Sequence, residues 1–276
     1  MNNDVNADTL RSVWSAGGTA LGGWMSMREP LLAEAVATLD VDYVCIDMQH
    51  GLADIGDVFA MLQAMDRHPV TPVVRVPWNE QGIIGRVLDM GALGVIIPMV
   101  NSADEARAAV AACRYAPLGR RSVGPIVPNL RYGPGYFSTA NERLICIPMI
   151  ETEVAVSRID EILAVDGIDA IYVGPSDLAV SMGLPPGLDN ADPRFTRAIS
   201  TIVDACKRHG VVAGIHSSAA VARKRHDEGF RMITVAADMV CAVGGLRNES
   251  NAARAAVRGS TSPAAGGDGG ADPYRA

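Results

Sequence analysis

Residues 41–51 read VDYVCIDMQHG, an apolar run that ends abruptly in an acid, an amide and an imidazole. The run from Tyr43 to Ile46 has the composition of a parallel strand that is buried on both faces. His50 lies just beyond it, and the carboxyl ends of parallel strands are where α/β proteins bind their ligands. The stretch therefore predicts a buried strand with a functional group at its end.

The same arrangement occurs elsewhere along the chain. Arg75 closes the β-branched run in PVVRVPW, Glu151 follows LICIPMI, and Asp177 follows IDAIYVGPS. Eight apolar runs alternate with amphipathic helical patterns, and the predicted strands span 20–26, 43–48, 71–76, 94–100, 144–151, 169–176, 211–216 and 231–237. Eight strand–helix units predict an α/β fold of the (β/α)8 TIM-barrel type. The rival, a doubly wound open sheet, is disfavoured because no GxGxxG follows the first strand.

No internal linker divides the chain. We expect one barrel domain over residues 1–258 and a low-complexity, disordered tail over residues 259–276, which read GSTSPAAGGDGGADPYRA. The stretch 117–143 is rich in Pro, Gly and Arg and is longer than most connections. Such loops often close over active sites, so it is interpreted as a lid.

Composition narrows the choice of partners. The net charge of -7 argues against nucleic acids and anionic membranes, and no run reaches the length of a membrane span. The polar start, MNNDVNADTL, does not resemble a signal peptide. The 5 cysteines show no CxxC spacing, which predicts buried free thiols and a cytoplasmic location and disfavours a zinc site.

Two carboxylates at successive strand ends predict a metal site. Strand ends converge at the mouth of a (β/α)8 barrel, so Glu151 and Asp177 are expected to face each other. They would repel unless a cation lay between them, and Mg²⁺ or Mn²⁺ suits such oxygen ligands. The alternative is a solvated loop carboxylate at each position.

Basic residues suggest the remaining chemistry. Arg75 can stabilise an oxyanion or hold a carboxylate, or it can form a structural salt bridge to Asp47. His50 can transfer protons near neutral pH, or it can bond to a loop backbone. His216 ends the seventh strand and is expected to face the mouth. Lysines number two among the 24 basic residues, and because neither ends a strand, a Schiff-base mechanism is excluded.

Four motifs, IDMQHG, PVVRVPWN, IPMIETEVAV and VGPSDLAVSMG, together resemble the HpcH/HpaI family of class II pyruvate aldolases, typified by 4-hydroxy-2-oxoheptanedioate aldolase. The resemblance implies a barrel that assembles as a homotrimer or homohexamer. It also implies reversible cleavage of a 4-hydroxy-2-oxo acid to pyruvate, or a close 2-oxo acid, and an aldehyde. The implied cofactor is Mg²⁺, Mn²⁺ or Co²⁺.

The resemblance also implies roles for individual residues. By position, Glu151 and Asp177 would be the metal ligands, and Arg75 would lie beside the pyruvate keto oxygen. His50 would move protons, and Asp89 in VLDMGA would orient it, from the same chain or from a neighbouring subunit.

The resemblance further assigns the residues that would contact substrate. Amides of Ser176 and Asp177, in the turn after the sixth strand, would hold the pyruvate carboxylate. Trp24 matches an aromatic residue at the end of the first strand. His216 replaces a residue that is usually apolar, and it is expected to contact the aldehyde.

Departures from the family pattern leave two other functions open. Gln49 stands where Glu is frequent, and Met149 stands where Gln is usual. One alternative is a lyase or synthase for another 2-oxo acid or for an acyl-CoA. The other is a non-catalytic barrel that binds a 2-oxo acid.

Overall fold

A computed structural model describes residues 9–258 of the chain, so the predicted tail at 259–276 lies outside the described residues. Eight strands form a closed barrel in chain order, and every neighbouring pair is parallel. The strands are β1 (Ala20–Met25), β2 (Tyr43–Asp47), β3 (Thr71–Arg75), β4 (Gly94–Ile97), β5 (Ile145–Ile150), β6 (Ala170–Val173), β7 (Val212–His216) and β8 (Met232–Ala237). The predicted (β/α)8 barrel is confirmed, although β4 and β6 end earlier than expected.

Helices precede, connect and follow the strands. They are α1 (Thr9–Ser15), α2 (Pro30–Ala37), α3 (Ile55–Met65), α4 (Gln81–Asp89), α5 (Ala103–Cys113), α6 (Ile126–Tyr132), α7 (Tyr136–Arg143), α8 (Glu153–Ser157), α9 (Ile159–Leu163), α10 (Pro175–Ser181), α11 (Pro193–His209), α12 (Ala219–Glu228) and α13 (Asp238–Arg258). The last helix, α13, has no buried residue. None of the helices between residues 9 and 258 combines the length and apolar character of a membrane span.

Alternation along each strand decides which side chains reach the mouth. In β2, Tyr43 and Cys45 pack in the cluster that fills the barrel interior, whereas Val44 and Ile46 pack in the layer beneath the helices. Successive side chains of a strand point to opposite faces. The next interior position is therefore Asp47, at the carboxyl end of the strand, where it is 2% exposed.

Aromatic residues fill the barrel interior below the mouth. The hydroxyls of Tyr43 and Tyr172 both bond to the Thr234 hydroxyl. Gly22 faces the Tyr43 ring so closely that a Cβ there would lie 2.2 Å from a ring carbon. The interior is thus packed with side chains, as in other barrels of this type, and ligand space is left at its end.

The stretch 117–143 is not a lid. It contains α6 and α7 and joins the end of α5 to the start of β5. Helices of a (β/α)8 barrel run back from the mouth, so a helix-to-strand connection lies at the opposite end of the barrel. Arg131 of this stretch bonds to the Leu62 carbonyl near the end of α3, which agrees with that position. The location of this stretch follows from its place in the chain order, between a helix and a strand, and not from its length or composition.

Cysteine burial departs from the prediction at one residue. Four thiols are buried as expected, and Cys241 on α13 is exposed.

Candidate active site

A cavity of about 440 Å³ opens at the carboxyl ends of the strands. The predicted site residues Trp24, His50, Arg75, Ser176, Asp177 and His216 line it, together with Met149, Tyr172, Gly174, Pro175, Val180, Pro186 and Leu188. Strand alternation explains this convergence, because Trp24, Arg75 and His216 each occupy the last interior position of a strand. The strand-end pattern in the sequence thus leads to one common site.

Asp47 and Arg75 form a buried, bidentate ion pair on neighbouring strands. Their Cα atoms are paired in register between β2 and β3. Arg75 Nε donates to Asp47 Oδ1 at 2.8 Å, and Nη2 donates to Oδ2 at 2.5 Å. Burial raises the pKa of Asp47, but the hydrogen bonds and charge of Arg75 outweigh it, so that this pKa lies below its ordinary value. Arg75 therefore forms the structural salt bridge to Asp47 that was one of its two predicted roles. It also lines the cavity, so the other predicted role, contact with a ligand, stays open.

Asp47 also fixes other parts of the mouth. Its Oδ2 accepts from Trp24 Nε1 at 3.2 Å. Its Oδ1 accepts from the backbone N–H groups of Gln49 at 3.0 Å and His50 at 3.3 Å. One carboxylate therefore holds the guanidinium, the indole and the loop that carries the exposed His50 imidazole.

Trp24 is the centre of an aromatic group on the cavity wall. Its ring stacks on Tyr172 with centroids 5.7 Å apart and meets the edge of His216 at 4.9 Å. The Arg75 guanidinium lies 4.9 Å from the same ring centroid. Burial lowers the pKa of His216 to about 4, and the charge of Arg75 adds to this shift. His216 is therefore a neutral imidazole at neutral pH.

Glu151 is not among the residues that line the cavity, but it lies behind Gly174, which does line it. Its side chain is almost fully buried, and its Oε1 accepts from the Met99 N–H at 2.7 Å. Met99 adopts a left-handed backbone conformation with φ 57°. A Cβ on Gly174 would lie 2.4 Å from Glu151 Oε2, so glycine at this position makes room for the carboxylate. Burial, and to a smaller extent the charge of Asp177, raise the pKa of Glu151 to about 7, although the hydrogen bond from the Met99 N–H and the charge of Arg75 oppose this shift.

Asp177 and Ser176 belong to the first turn of α10, which follows β6. Gly174 precedes this helix and provides no side-chain cap. The first N–H groups of a helix lack partners within the helix, so those of Ser176 and Asp177 are available to an anion. Asp177 is exposed and Ser176 is half-buried, so both face the open part of the cavity.

Asp89 is not brought to the cavity of its own chain. It ends α4 and accepts from Arg121 Nη2 at 2.7 Å. The Arg121 guanidinium also stacks on the Tyr115 ring, 4.6 Å from its centroid. Asp89, Arg121 and Tyr115 lie at the end of the barrel opposite the mouth, where α4 ends. Among the described residues, Asp89 therefore makes no contact with His50 of its own chain.

Sequence reasoning missed several residues of the site. Asp47 was considered only as a structural partner of Arg75, although its strand-end position was a usable signal. Tyr172 was missed because it lies inside an apolar run. Nothing in the sequence indicated Leu188, since it belongs to an irregular segment that reaches the mouth through tertiary contacts.

Comparisons with known proteins agree with this architecture. Residues 21–243 match the family model described as HpcH/HpaI aldolase/citrate lyase. A hydroxypyruvate/pyruvate aldolase from Rhizorhabdus wittichii is 43% identical over 83% of this chain and 92% of its own length. A 2-keto-3-deoxy-L-rhamnonate aldolase from Salmonella gallinarum is 37% identical over 80% of this chain and 84% of its own length.

A solved structure shares the fold over nearly the whole chain. It is an HpcH/HpaI aldolase/citrate lyase family protein from Burkholderia cenocepacia, with a TM-score of 0.80 and 33% identity. The alignment covers 94% of this chain and 100% of that one.

Proposed function

This chain belongs to the HpcH/HpaI aldolase/citrate lyase family and is a carbon–carbon lyase of the aldolase type, and from that premise we propose its reaction. The proposed reaction is the reversible, metal-dependent cleavage of a 4-hydroxy-2-oxo acid to pyruvate, or a close 2-oxo acid, and an aldehyde. The observation that carries the proposal is that the buried Glu151 lies within the electrostatic influence of both Asp177 and the Arg75 guanidinium at the mouth.

The two carboxylates fit a hard divalent cation. Burial, and after it the charge of Asp177, raise the pKa of Glu151, and a cation bound between the two carboxylates would favour the charged form of both. Within residues 9–258, no group of three or more His, Cys, Asp or Glu side chains is arranged to hold a metal. Mg²⁺, Mn²⁺ and Co²⁺ keep water and substrate oxygens as further ligands, so two protein carboxylates suffice. When bound, such an ion supplies Lewis-acid stabilisation of negative charge on the substrate keto oxygen.

Arg75 and His50 act on opposite sides of the C3–C4 bond that breaks, Arg75 at the keto oxygen and His50 at the 4-hydroxyl. Asp47 holds the guanidinium through Nε and Nη2, and Nη1 bonds to no other described residue. That N–H group is therefore free to donate to the keto oxygen as it gains charge. His50 takes the proton of the 4-hydroxyl while the C3–C4 bond breaks. The aldehyde carbonyl forms, the electron pair moves to C3, and protonation of C3 completes pyruvate.

The start of α10 serves the carboxylate of the 2-oxo acid in this proposal. Amides of Ser176 and Asp177 donate to it, and the positive end of the helix favours its charge. Trp24 closes one side of the pocket, and the neutral His216 bonds to a hydroxyl of the aldehyde. An imine route is excluded, because Lys224 is paired with Asp189 and Lys207 with Asp204, and neither lines the cavity.

Asp89 is proposed to orient His50 from a neighbouring subunit of a homotrimer or homohexamer. Apolar side chains are exposed at both ends of the barrel, with Trp78 at the mouth and Leu130 in α6 at the far end. A head-to-tail ring would cover both ends and set Asp89 of one copy beside His50 of the next.

Metal removal tests the proposal directly. Protein dialysed against EDTA should lose both aldol cleavage and oxaloacetate decarboxylation, and Mn²⁺, Mg²⁺ or Co²⁺ should restore them. The Glu151→Gln variant should stay inactive after the same addition, because it lacks one of the two ligand charges. Full turnover by a sample shown to be metal-free by elemental analysis would falsify the metal-dependent reaction.

A further inference from the structure

Apolar side chains form the outer rim of the cavity. Val180 is exposed on α10, and Pro186 and Leu188 come from the irregular segment between α10 and α11. The buried Tyr172 also lines the cavity, and the buried Glu151 lies behind Gly174 of its wall. A 2-oxo acid bound near Glu151 and the start of α10 therefore directs its remaining atoms outward, past this rim.

A buried arginine holds Leu188 at the rim. Arg225 on α12 is 1% exposed, and its Nη2 donates to the Leu188 carbonyl at 2.7 Å. The same Nη2 donates to Asp189 Oδ1 at 2.9 Å, and Lys224 Nζ donates to Asp189 Oδ2 at 2.6 Å. Leu188 is thus fixed to a helix although its own segment has no regular secondary structure.

Within one chain, the described part of the cavity offers no permanently charged cation without a partner to the outer part of a substrate. Among the described residues that line it, Arg75 is the one with a permanent positive charge, and two of its nitrogens bind Asp47. Burial lowers the pKa of His216 to about 4, so this imidazole carries no charge at neutral pH. The cations beside Leu188 are already paired with Asp189. A second carboxylate on the substrate would lose water here without gaining a charged partner.

We propose that the aldehyde partner of this enzyme is uncharged and has an apolar far end that packs against Leu188. This inference rests on the proposed aldol function and adds the chemical class of the aldehyde. Burying methylene groups against Leu188 and Val180 stabilises such a substrate in the outer cavity.

Butanal and succinic semialdehyde make a matched pair of probes. Both are four-carbon aldehydes, and they differ by the terminal carboxylate. With the metal-loaded enzyme and pyruvate, kcat/KM for addition to butanal should exceed that for succinic semialdehyde by about tenfold or more. Addition to both is measured by mass spectrometry of the hydroxy-oxo acid product.

Substitutions at Leu188 test whether the rim decides this preference. Leu188→Ala should lower kcat/KM for butanal by about three- to tenfold, since it removes part of an apolar contact. Leu188→Arg should shift the ratio toward succinic semialdehyde by about tenfold, because a guanidinium can pair with the terminal carboxylate. The matched control is Leu39→Arg, an exposed leucine after α2, which should leave the ratio unchanged.

Two kinds of failure are distinguishable. If wild-type enzyme prefers succinic semialdehyde, or if Leu188→Arg leaves the ratio unchanged, the inferred aldehyde class is wrong. If wild-type enzyme neither decarboxylates oxaloacetate nor exchanges the methyl protons of pyruvate with solvent, the aldol function itself fails and the inference fails with it.

Discussion

The buried pair of Asp47 and Arg75 makes the sharpest prediction among single residues. Arg75→Lys keeps the charge but replaces a planar fork with a point charge that cannot bond to both Asp47 oxygens and the substrate. Turnover in aldol cleavage should fall by about 10²-fold, the scale of losing an oxyanion donor. Steady-state kinetics of the metal-loaded variant measures this loss.

A surface arginine provides the control for this change. Arg107 pairs with Asp104 on the solvent-exposed face of α5, so Arg107→Lys should leave turnover unchanged. Turnover of Arg75→Lys within about threefold of wild type would assign Arg75 to structure rather than to catalysis.

His216 should make the protein sensitive to acid. Its pKa falls from 6.5 to about 4 on folding, so the unfolded chain binds the proton more readily. The contribution is fully present above pH 6.5 and is lost as the pH falls toward 4, by at most about 3 kcal/mol. Urea unfolding at several pH values should show that acidification lowers the free energy of unfolding less in His216→Gln than in wild type.

An exposed histidine separates this effect from general acid instability. His226→Gln removes an imidazole that bonds to Thr19 at the surface. On acidification, the free energy of unfolding of this variant should fall by as much as that of wild type. If wild type and His216→Gln lost the same unfolding free energy on acidification, the assignment of a neutral imidazole with a lowered pKa to position 216 would be contradicted.

Single residues also show what a sequence can and cannot predict about a site. Strand-end positions identified His50, Arg75 and Asp177, because chain order alone brings strand ends together. The donor to Glu151 could not be predicted, since it is a backbone N–H of Met99 in a left-handed conformation. Such a conformation leaves no trace in side-chain chemistry when the residue is not glycine.

Among the secondary-structure elements, the turn between β6 and α10 depends on Gly174. A methyl group in Gly174→Ala would lie 2.4 Å from Glu151 Oε2 and would push the carboxylate out of place. Affinity for Mn²⁺ should fall by about tenfold or more, as when the support of a metal ligand is lost. Calorimetric titration with Mn²⁺ measures the change.

Gly135 offers a matched substitution far from the mouth. It precedes α7, and a Cβ there would have no atom within 4 Å. Gly135→Ala should bind Mn²⁺ as wild type does. If Gly174→Ala also did so, the crowding at Glu151 would not matter for metal binding.

Element order was predictable, but the ends of elements were less so. Apolar runs located all eight strands, because parallel strands buried on both faces are mostly apolar along their length. The location of 117–143 required more than composition. A segment that leads from a helix into a strand lies away from the mouth, and this topological rule outweighs its lid-like Pro and Gly content.

At the scale of the whole molecule, a mixing experiment tests the shared site. His50→Ala and Asp89→Ala should each be inactive alone. Unfolded together and refolded in equal amounts, they should regain about one quarter of wild-type activity, the fraction of interfaces that combine both intact residues. Assays of the mixture before and after co-refolding check this expectation.

The control pairs two residues of one chain. His50 and Glu151 belong to the same mouth, so co-refolded His50→Ala and Glu151→Gln should stay inactive. Recovery in neither mixture would place Asp89 outside the site. The sequence could not decide whether Asp89 serves its own mouth or a neighbouring one, because chain order does not show how copies assemble. Within its own chain, Asp89 pairs with Arg121.

The exposure of Cys241 provides a natural position for attaching a fluorescent label. Its thiol lies on the uncovered α13, whereas the other four cysteines are buried. A maleimide fluorophore can therefore be attached at a single position without mutagenesis. The labelling rate and the dye's anisotropy then report, in real time and at any dilution, whether another copy of the chain covers α13.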